Sequence, residues 1–199
     1  MIGIGLTIYG NRQTPALEMI RKFTPDAKIV TVNQKGIAKA KNMCLALLDD
    51  CEHIFLFDDD TYPEFDNWFL PYTNSGEPHL SFTFGRKILK QSNGLTEYEL
   101  PCGCMLYINR KCLNIVGGFD TDFEGYSYEH VNYSQRVYNC GLTSAKYLDV
   151  AGSDKLIHSM DQHREIKSSL SQLERGLGIQ ANRNLFMKNR HSQEWKPYK

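Results

Sequence analysis

The chain has 199 residues, enough for one compact domain with a core and a ligand cleft. Apolar residues make up 41% and aromatic residues 12%, and 23 basic side chains balance 23 acidic ones, which excludes a global field recruiting nucleic acid or anionic membrane. No run approaches the roughly 20 apolar residues of a membrane span, and the first residues carry no signal-peptide pattern. A cytoplasmic protein without a transmembrane anchor is the expectation. The six cysteines (Cys44, Cys51, Cys102, Cys104, Cys112, Cys140) show no disulfide-framework spacing and read as free thiols of a reducing compartment. Cys102-Gly103-Cys104 lacks the second ligand pair that a structural zinc site needs.

The first predicted element is a strand over Met1 to Tyr9, carrying Ile2, Ile4, Leu6 and Ile8, and it ends in Gly10-Asn11-Arg12. Thr14-Pro15 supplies an N-cap and a first-turn proline for a helix through Phe23. Lys28 to Val32 reads as a second strand. Ile37 to Leu48 reads as an amphipathic helix whose apolar face is Ile37, Ala40, Cys44, Leu47 and Leu48, leaving Lys39 and Asn42 off that face. His53 to Phe57 is continuously apolar and so predicts a strand buried on both sides. This alternation predicts a right-handed parallel sheet of nucleotide-binding type, with ligands beyond the carboxyl ends of its strands. Both Asn11-Arg12 and Asp58-Asp59-Asp60 fall at such ends.

Further on, His79 to Phe84 and Cys104 to Ile108 predict strands, with a polar loop from Gly85 to Leu100 turning at Ser92-Asn93-Gly94. Asn109 to Val116 predicts a short helix stopped by Gly117-Gly118. Tyr128 to Asn139 predicts a helix with Ser127 as N-cap and Gly141 past its end. Leu142 to Val150 reads as a strand, and the segment after Asp161 as mainly helical. From Lys155 onward nine basic residues face four acidic ones, a solvated face or a cover for an anionic ligand.

Three adjacent carboxylates at a strand end repel one another without a counter-charge. A divalent cation supplies one, and hard oxygen ligands suit Mg²⁺ or Mn²⁺. A solvated turn is the plain alternative.

Several further segments, in order, resemble the GT-A class of nucleotide-sugar glycosyltransferases, closest to the family-2 and galactosyltransferase-like types. They are Thr7-Ile8-Tyr9-Gly10-Asn11-Arg12, Gly36 to Asn42, the Asp58–Asp60 cluster as a D-x-D element, Gly117-Gly118-Phe119-Asp120 with Gly125 to Asn132, and Ile157-His158-Ser159-Met160-Asp161. The resemblance covers roughly residues 2 to 163. It implies a single GT-A-type α/β domain with a Rossmann-like mixed sheet flanked by helices. Residues 1–63 would be its nucleotide-binding half and 64–163 its acceptor half, with 164–199 a helical tail packed on the domain.

The same resemblance implies roles. Asp60 would ligate Mn²⁺ or Mg²⁺ directly, and Asp58 would contact ribose, or the metal through water. His158 would complete the metal shell and favour Mn²⁺. Asp59 would contact the donor or, by strand alternation, point away. Tyr9 could stack on the base, Asn11 and Arg12 meet the nucleotide, and Lys41, where the family has arginine, offer a point charge to the diphosphate. Gly118 would let backbone approach the donor. Asp120 would bind the acceptor or brace its loop, and Tyr126 would offer an aromatic platform to a sugar. The family's aspartate base is replaced here, since Glu129-His130 stands at the acidic pair, and either residue could serve.

The implied reaction moves a sugar from a nucleotide-diphosphate donor of UDP type to an acceptor hydroxyl, with inversion. A saccharide acceptor is the first choice and a modified nucleic-acid base the second. Two other readings stand beside it: a non-catalytic nucleotide-sugar binding module, and a nucleotidyltransferase, for which Gly10 to Thr14 is poor in glycine.

Overall fold

The computed structural model describes residues 1–125, 127–166 and 172–199. Strands β1 (Ile2–Thr7), β2 (Lys28–Val32) and β3 (His53–Asp58) are linked by helices α1 (Ala16–Phe23) and α2 (Ile37–Leu47). All five elements stand where the hydrophobic pattern puts them, with α1 starting one residue past Pro15. β1 pairs in parallel with β2 on one side and β3 on the other, with Thr7 opposite Asp58. After β4 (Thr61–Pro63), α3 (Leu70–Thr73) and β5 (His79–Ser81), the chain forms a hairpin of β6 (Ile88–Ser92) and β7 (Leu95–Tyr98). Next come β8 (Met105–Asn109), α4 (Arg110–Val116), α5 (Glu129–Asn139), β9 (Leu148–Val150), β10 (Ile157–Ser159) and α6 (Gln172–Asn189). The main sheet runs β2-β1-β3-β8-β5, and its last two strands make it mixed, because β8 is antiparallel to both β3 and β5. The fold is thus the expected mixed α/β sheet flanked by helices.

β3 explains why its sequence is apolar throughout. Ile54 and Leu56 face the core beneath α2, α4 and α5, while Phe55 and Phe57 face the core of α1, Trp68 and Tyr72. The alternation in β1 has a second half that its isoleucines conceal. Gly3 and Gly5 face α2 so closely that a Cβ on Gly5 would lie 2.6 Å from Cys44 Cβ, and one on Gly3 would lie 2.7 Å from Cys51 Sγ. Helix α2 therefore lies flush on the strand, and its inward face is wider than its apolar residues suggest. Lys41 and Asn42 are buried with Ala38, Ala40, Cys44 and Leu45, whereas Leu47 is half exposed.

Four other expectations are corrected. Residues 85–100 are not a loop but carry the β6–β7 hairpin, whose turn residues Asn93 (φ 53°) and Gly94 (φ 74°) both take the left-handed backbone that a tight hairpin needs. Only the last three residues of the 142–150 segment pair as a strand, β9 against β7. Of residues 79–84, only the first three form β5. Ser127 does not cap α5. It and Tyr128 both have left-handed backbone, at φ 75° and 73°, and no side chain caps the helix. Two successive left-handed non-glycine residues store strain of about 1–3 kcal/mol each. Helix α6 holds that turn down: Asn182 Nδ2 donates to Ser127 O at 2.8 Å and to Glu124 O at 2.9 Å.

The residues beyond α6 are irregular and run back across the segment after α4. Gly118 N donates to Lys196 O at 2.7 Å and Lys196 N to Val116 O at 3.2 Å. Arg136 of α5, fully buried, donates to Val116 O at 2.9 Å and Glu194 O at 3.2 Å.

The buried imidazole of His79 gives the fold a pH signature. Its Nδ1 is 2.8 Å from the Tyr107 carbonyl, an acceptor, so Nδ1 carries the hydrogen and Nε2 accepts from Ser134 Oγ at 2.7 Å. Burial pushes its pKa down to about 4. The unfolded chain then binds an extra proton between about 4 and the ordinary value of 6.5, so stability is lost as pH falls through that window. The share is about 3 kcal/mol. Urea unfolding at pH 7 and pH 4 should show this loss, and His79→Gln should flatten it. An equally steep loss in the variant would show that the ring is not held neutral.

Candidate functional site

The carboxyl ends of β1 and β3 carry the acidic cluster, and register sets their geometry. Thr7, last in β1, sits opposite Asp58, last in β3, and its Oγ1 donates to Asp58 Oδ1 at 3.1 Å. Asp59 turns the other way and is buried, with Oδ2 accepting from Tyr9 N and Oδ1 from Arg12 Nη1, each at 3.0 Å. Thr14 Oγ1 donates to the Asp59 carbonyl. Asp59 is thus the post around which residues 9–14 fold, with both carboxylate oxygens engaged inside the protein. Arg12 Nη1 also reaches Asp60 Oδ2 at 3.0 Å, so one guanidinium nitrogen joins two of the three carboxylates.

Asp58 and Asp60 complete the cluster. Burial pushes the Asp58 carboxyl up to about 6; Lys41 opposes that rise, while Asp60 and Glu129 add to it. Burial also raises Asp60, reinforced by Asp59 and Asp161 and opposed by Arg12. About a third of the Asp58 side-chain surface (34%) stays open. Around this pair the loop at the end of β1 is exposed: Tyr9 keeps 55% of its surface, and Asn11 is exposed beside it.

On the other side of the sheet end lies a second charged group. Lys41 Nζ, fully buried, stands 3.1 Å from Glu129 Oε1, 3.9 Å from Asp58 Oδ1 and 2.9 Å from the Gly103 carbonyl. Burial opposes its charge, but Asp58 and Glu129 outweigh that and hold the pKa above the ordinary lysine value. Glu129, first residue of α5, is also buried. Desolvation alone would raise it, yet Lys41 and then His130 hold it well below the usual carboxylate range. His130 follows with Nδ1 3.2 Å from the same Oε1. Its ring lies directly on Gly103, where a Cβ would come within 2.5 Å of Nδ1.

Lys41 is therefore no exposed helix charge offered to a diphosphate; it is a buried link between the strand-end carboxylates and the start of α5. Nothing in its hydropathy pattern announces this. The flush glycines of β1 are the signal that α2 sits too close for any inward residue to escape burial.

Three other expected site residues are corrected. His158 does not join Asp60. It stacks between Tyr62 and His163, at centroid distances of 4.8 and 4.6 Å, and points its nitrogens at Glu165 (3.1 Å) and Glu64 (3.5 Å). Pairing of β10 with β4 carries the ring to that aromatic stack. Among the described residues no three His, Cys, Asp or Glu side chains converge as a metal cage. Gly118 offers no backbone to a ligand, because its N–H donates to Lys196 O at 2.7 Å and its carbonyl accepts from Arg136 Nη2. Asp120, buried, accepts from Asp122 N at 3.1 Å and pairs with Lys196 Nζ at 3.2 Å, so it braces its loop instead of meeting an acceptor. Tyr126 lies outside the described residues.

The chain matches no protein-family profile and no curated protein. Among solved structures it is similar to A197 from STIV, with TM-score 0.42 and 14% identity over 57% of this chain and 68% of that one. It is similar to the catalytic domain of Drosophila beta1,4galactosyltransferase 7, with TM-score 0.48 and 16% identity over 89% and 79% of the two chains. A Bacillus anthracis protein described as a glucose-1-phosphate thymidylyltransferase gives TM-score 0.41 and 10% identity over 97% and 78%. Likenesses this distant leave any functional reading to the side chains.

Removing one member of the buried charge pair should cost far more than removing both. Lys41→Met leaves Glu129 ionised without its counter-charge and should destabilise the protein by about 3–5 kcal/mol. Lys41→Met combined with Glu129→Gln should recover part of that loss in urea unfolding. Additive losses would show that the two charges do not depend on one another.

Proposed function

We propose that this chain is a glycosyltransferase that moves a sugar from a nucleotide-diphosphate donor of UDP type to an acceptor hydroxyl. The observation that carries the reading is the pairing of two carboxylates, Asp58 and Asp60, at the carboxyl end of β3 with a Glu129–His130 pair at the start of α5. The first pair suits a cation and a diphosphate. The second suits handling of a hydroxyl proton. Lys41 joins the two.

The donor set fits a hard divalent ion. Asp58 and Asp60 present oxygen only, and Mg²⁺ is typically held by one or two carboxylates with the remaining positions filled by water and substrate phosphate. With His158 engaged by Glu64 and Glu165, no nitrogen ligand tilts the preference toward Mn²⁺. When bound, such an ion would neutralise charge growing on the departing diphosphate.

The protein's own groups supply the rest. Arg12, held by Asp59 and Asp60, faces the mouth with about a quarter of its side chain exposed (23%), where its remaining N–H groups can meet phosphate oxygen. Tyr9 offers an open ring for a base to stack on, and Asn11 lies beside it. The transferred group changes partners in one displacement: an acceptor oxygen bonds to the anomeric carbon, the carbon–oxygen bond to phosphate breaks, and the acceptor's proton passes to a base. Inversion at that carbon follows from a single displacement.

The test is ligand-dependent stabilisation followed by turnover. With Mg²⁺ or Mn²⁺ present, UDP at a hundredfold excess over Kd should stabilise the fold by about 2.7 kcal/mol. UDP release from UDP-galactose or UDP-glucose should follow. Asp60→Asn should remove the cation-dependent part of both while the circular dichroism spectrum is retained. UDP binding without turnover would favour a non-catalytic binding module. No stabilisation by any nucleoside diphosphate, with or without cation, would overturn the reading.

A further inference from the structure

The acceptor side holds a three-member chain whose geometry assigns more than a choice between two candidate bases. Glu129 Oε1 receives both Lys41 Nζ at 3.1 Å and His130 Nδ1 at 3.2 Å, and the glutamate is almost fully buried. We infer that His130 is the base of the transfer reaction, that Glu129 orients its ring, and that Lys41 is a positioning residue that keeps Glu129 an anion. The inference rests on the proposed glycosyl transfer and adds the identity of the proton acceptor.

Three independent features support it. First, an ionised carboxylate only accepts hydrogen bonds. Nδ1 must therefore carry a hydrogen, which leaves Nε2 with the lone pair when the ring is neutral. Second, Glu129 is the more enclosed of the two: Lys41 Nζ and His130 Nδ1 both pair with its Oε1, and its side chain keeps 4% of its surface. His130 keeps 12%, the more open of the two. Third, the ring has a fitted seat. Gly103 lies directly under it, and the Gly103 carbonyl receives Lys41 Nζ at 2.9 Å, so one peptide fixes both the ring and the ammonium.

The titratable groups around the pair lie on four elements: Glu129 and His130 on α5, Lys41 on α2, Asp58 at the end of β3 and His79 on β5. Cys102 and Cys104 flank the glycine seat. In the step itself the acceptor O–H bond breaks, its proton moves to Nε2, and the oxygen's electron pair forms the bond to the anomeric carbon. The diphosphate leaves with the electrons of the broken bond. The imidazolium then gives its proton to solvent.

The experiment measures UDP release from UDP-galactose and UDP-glucose with Mg²⁺ across pH, alongside UDP–Mg²⁺ binding by thermal shift. The wild-type chain should show an acidic limb in the histidine range instead of the carboxylate range. His130→Ala should lower kcat by about 10²- to 10⁴-fold, lose that limb and leave UDP binding unchanged. Added imidazole should restore part of the rate. Glu129→Gln should lower kcat less and move the limb to lower pH, and Lys41→Met should displace the limb in the same way if it folds; Gly103→Ala, which crowds the ring without touching any charge, is the second variant should it not. If UDP fails to bind wild type, the donor reading has failed and this inference falls with it. If UDP binds and wild type turns over while His130→Ala keeps its rate and limb, the base assignment alone is overturned. UDP binding with no turnover in wild type also overturns it.

Discussion

A lysine ammonium withdrawn from water must find matching charge, and around Lys41 that requirement shapes the whole end of the sheet. Its Nζ lies within 4 Å of carboxylates from both β3 and α5, and it takes a carbonyl from residue 103 as well. A buried ion whose partner is removed costs several kcal/mol. The three segments that meet it are therefore tied to a common geometry, and each charge depends on the others. Asp58 and the Glu129–His130 pair are coupled through it.

That coupling is made possible by packing, not by electrostatics. Gly3 and Gly5 let α2 lie on β1 without an intervening side chain, which carries residues 41 and 42 into the interior. The two neighbours then serve different halves. Lys41 reaches the strand ends. Asn42 accepts from Phe119 N at 2.7 Å and donates to Phe119 O at 2.9 Å, pairing with the loop after α4 as a strand would. One helix thus fixes both halves of the site, while Asp59 and Arg12 organise the mouth above it.

Much of this was legible in the residues. The apolar runs at 2–8, 28–32 and 53–57 place three parallel strands, and the acidic triplet falls at the end of the third, because period and length are local properties of a sequence. What was not legible depends on neighbours far away in the chain. Hydropathy counts a lysine as surface, so Lys41 reads as solvated until glycines on another element bring the helix close. Gly118 and Asp120 sit in a segment that resembles a ligand loop, yet Tyr198 and Lys196 claim them. His158 is diverted by a two-strand pairing of three residues, too short to read in advance. The hairpin at 88–98 is a different case: Asn93-Gly94 carried its turn signal, and the polar flanks, exposed along the whole of β6, masked the strands on either side.

The segment that crosses Gly117 and Gly118 also bears on how the molecule comes together. Asn42 meets the carbonyl of Pro197 across 155 positions of chain, and Tyr198 meets Asp49 across 149. Contacts so remote in sequence form late, because a long loop must be closed before they are rewarded. The strand–helix–strand portion draws on near neighbours in the chain, whereas the loop at Gly117 and Gly118 is covered by this distant stretch, which lays its backbone into the groove that two glycines leave open. Closure around that loop is then gated by a latch drawn from residues far along the polypeptide.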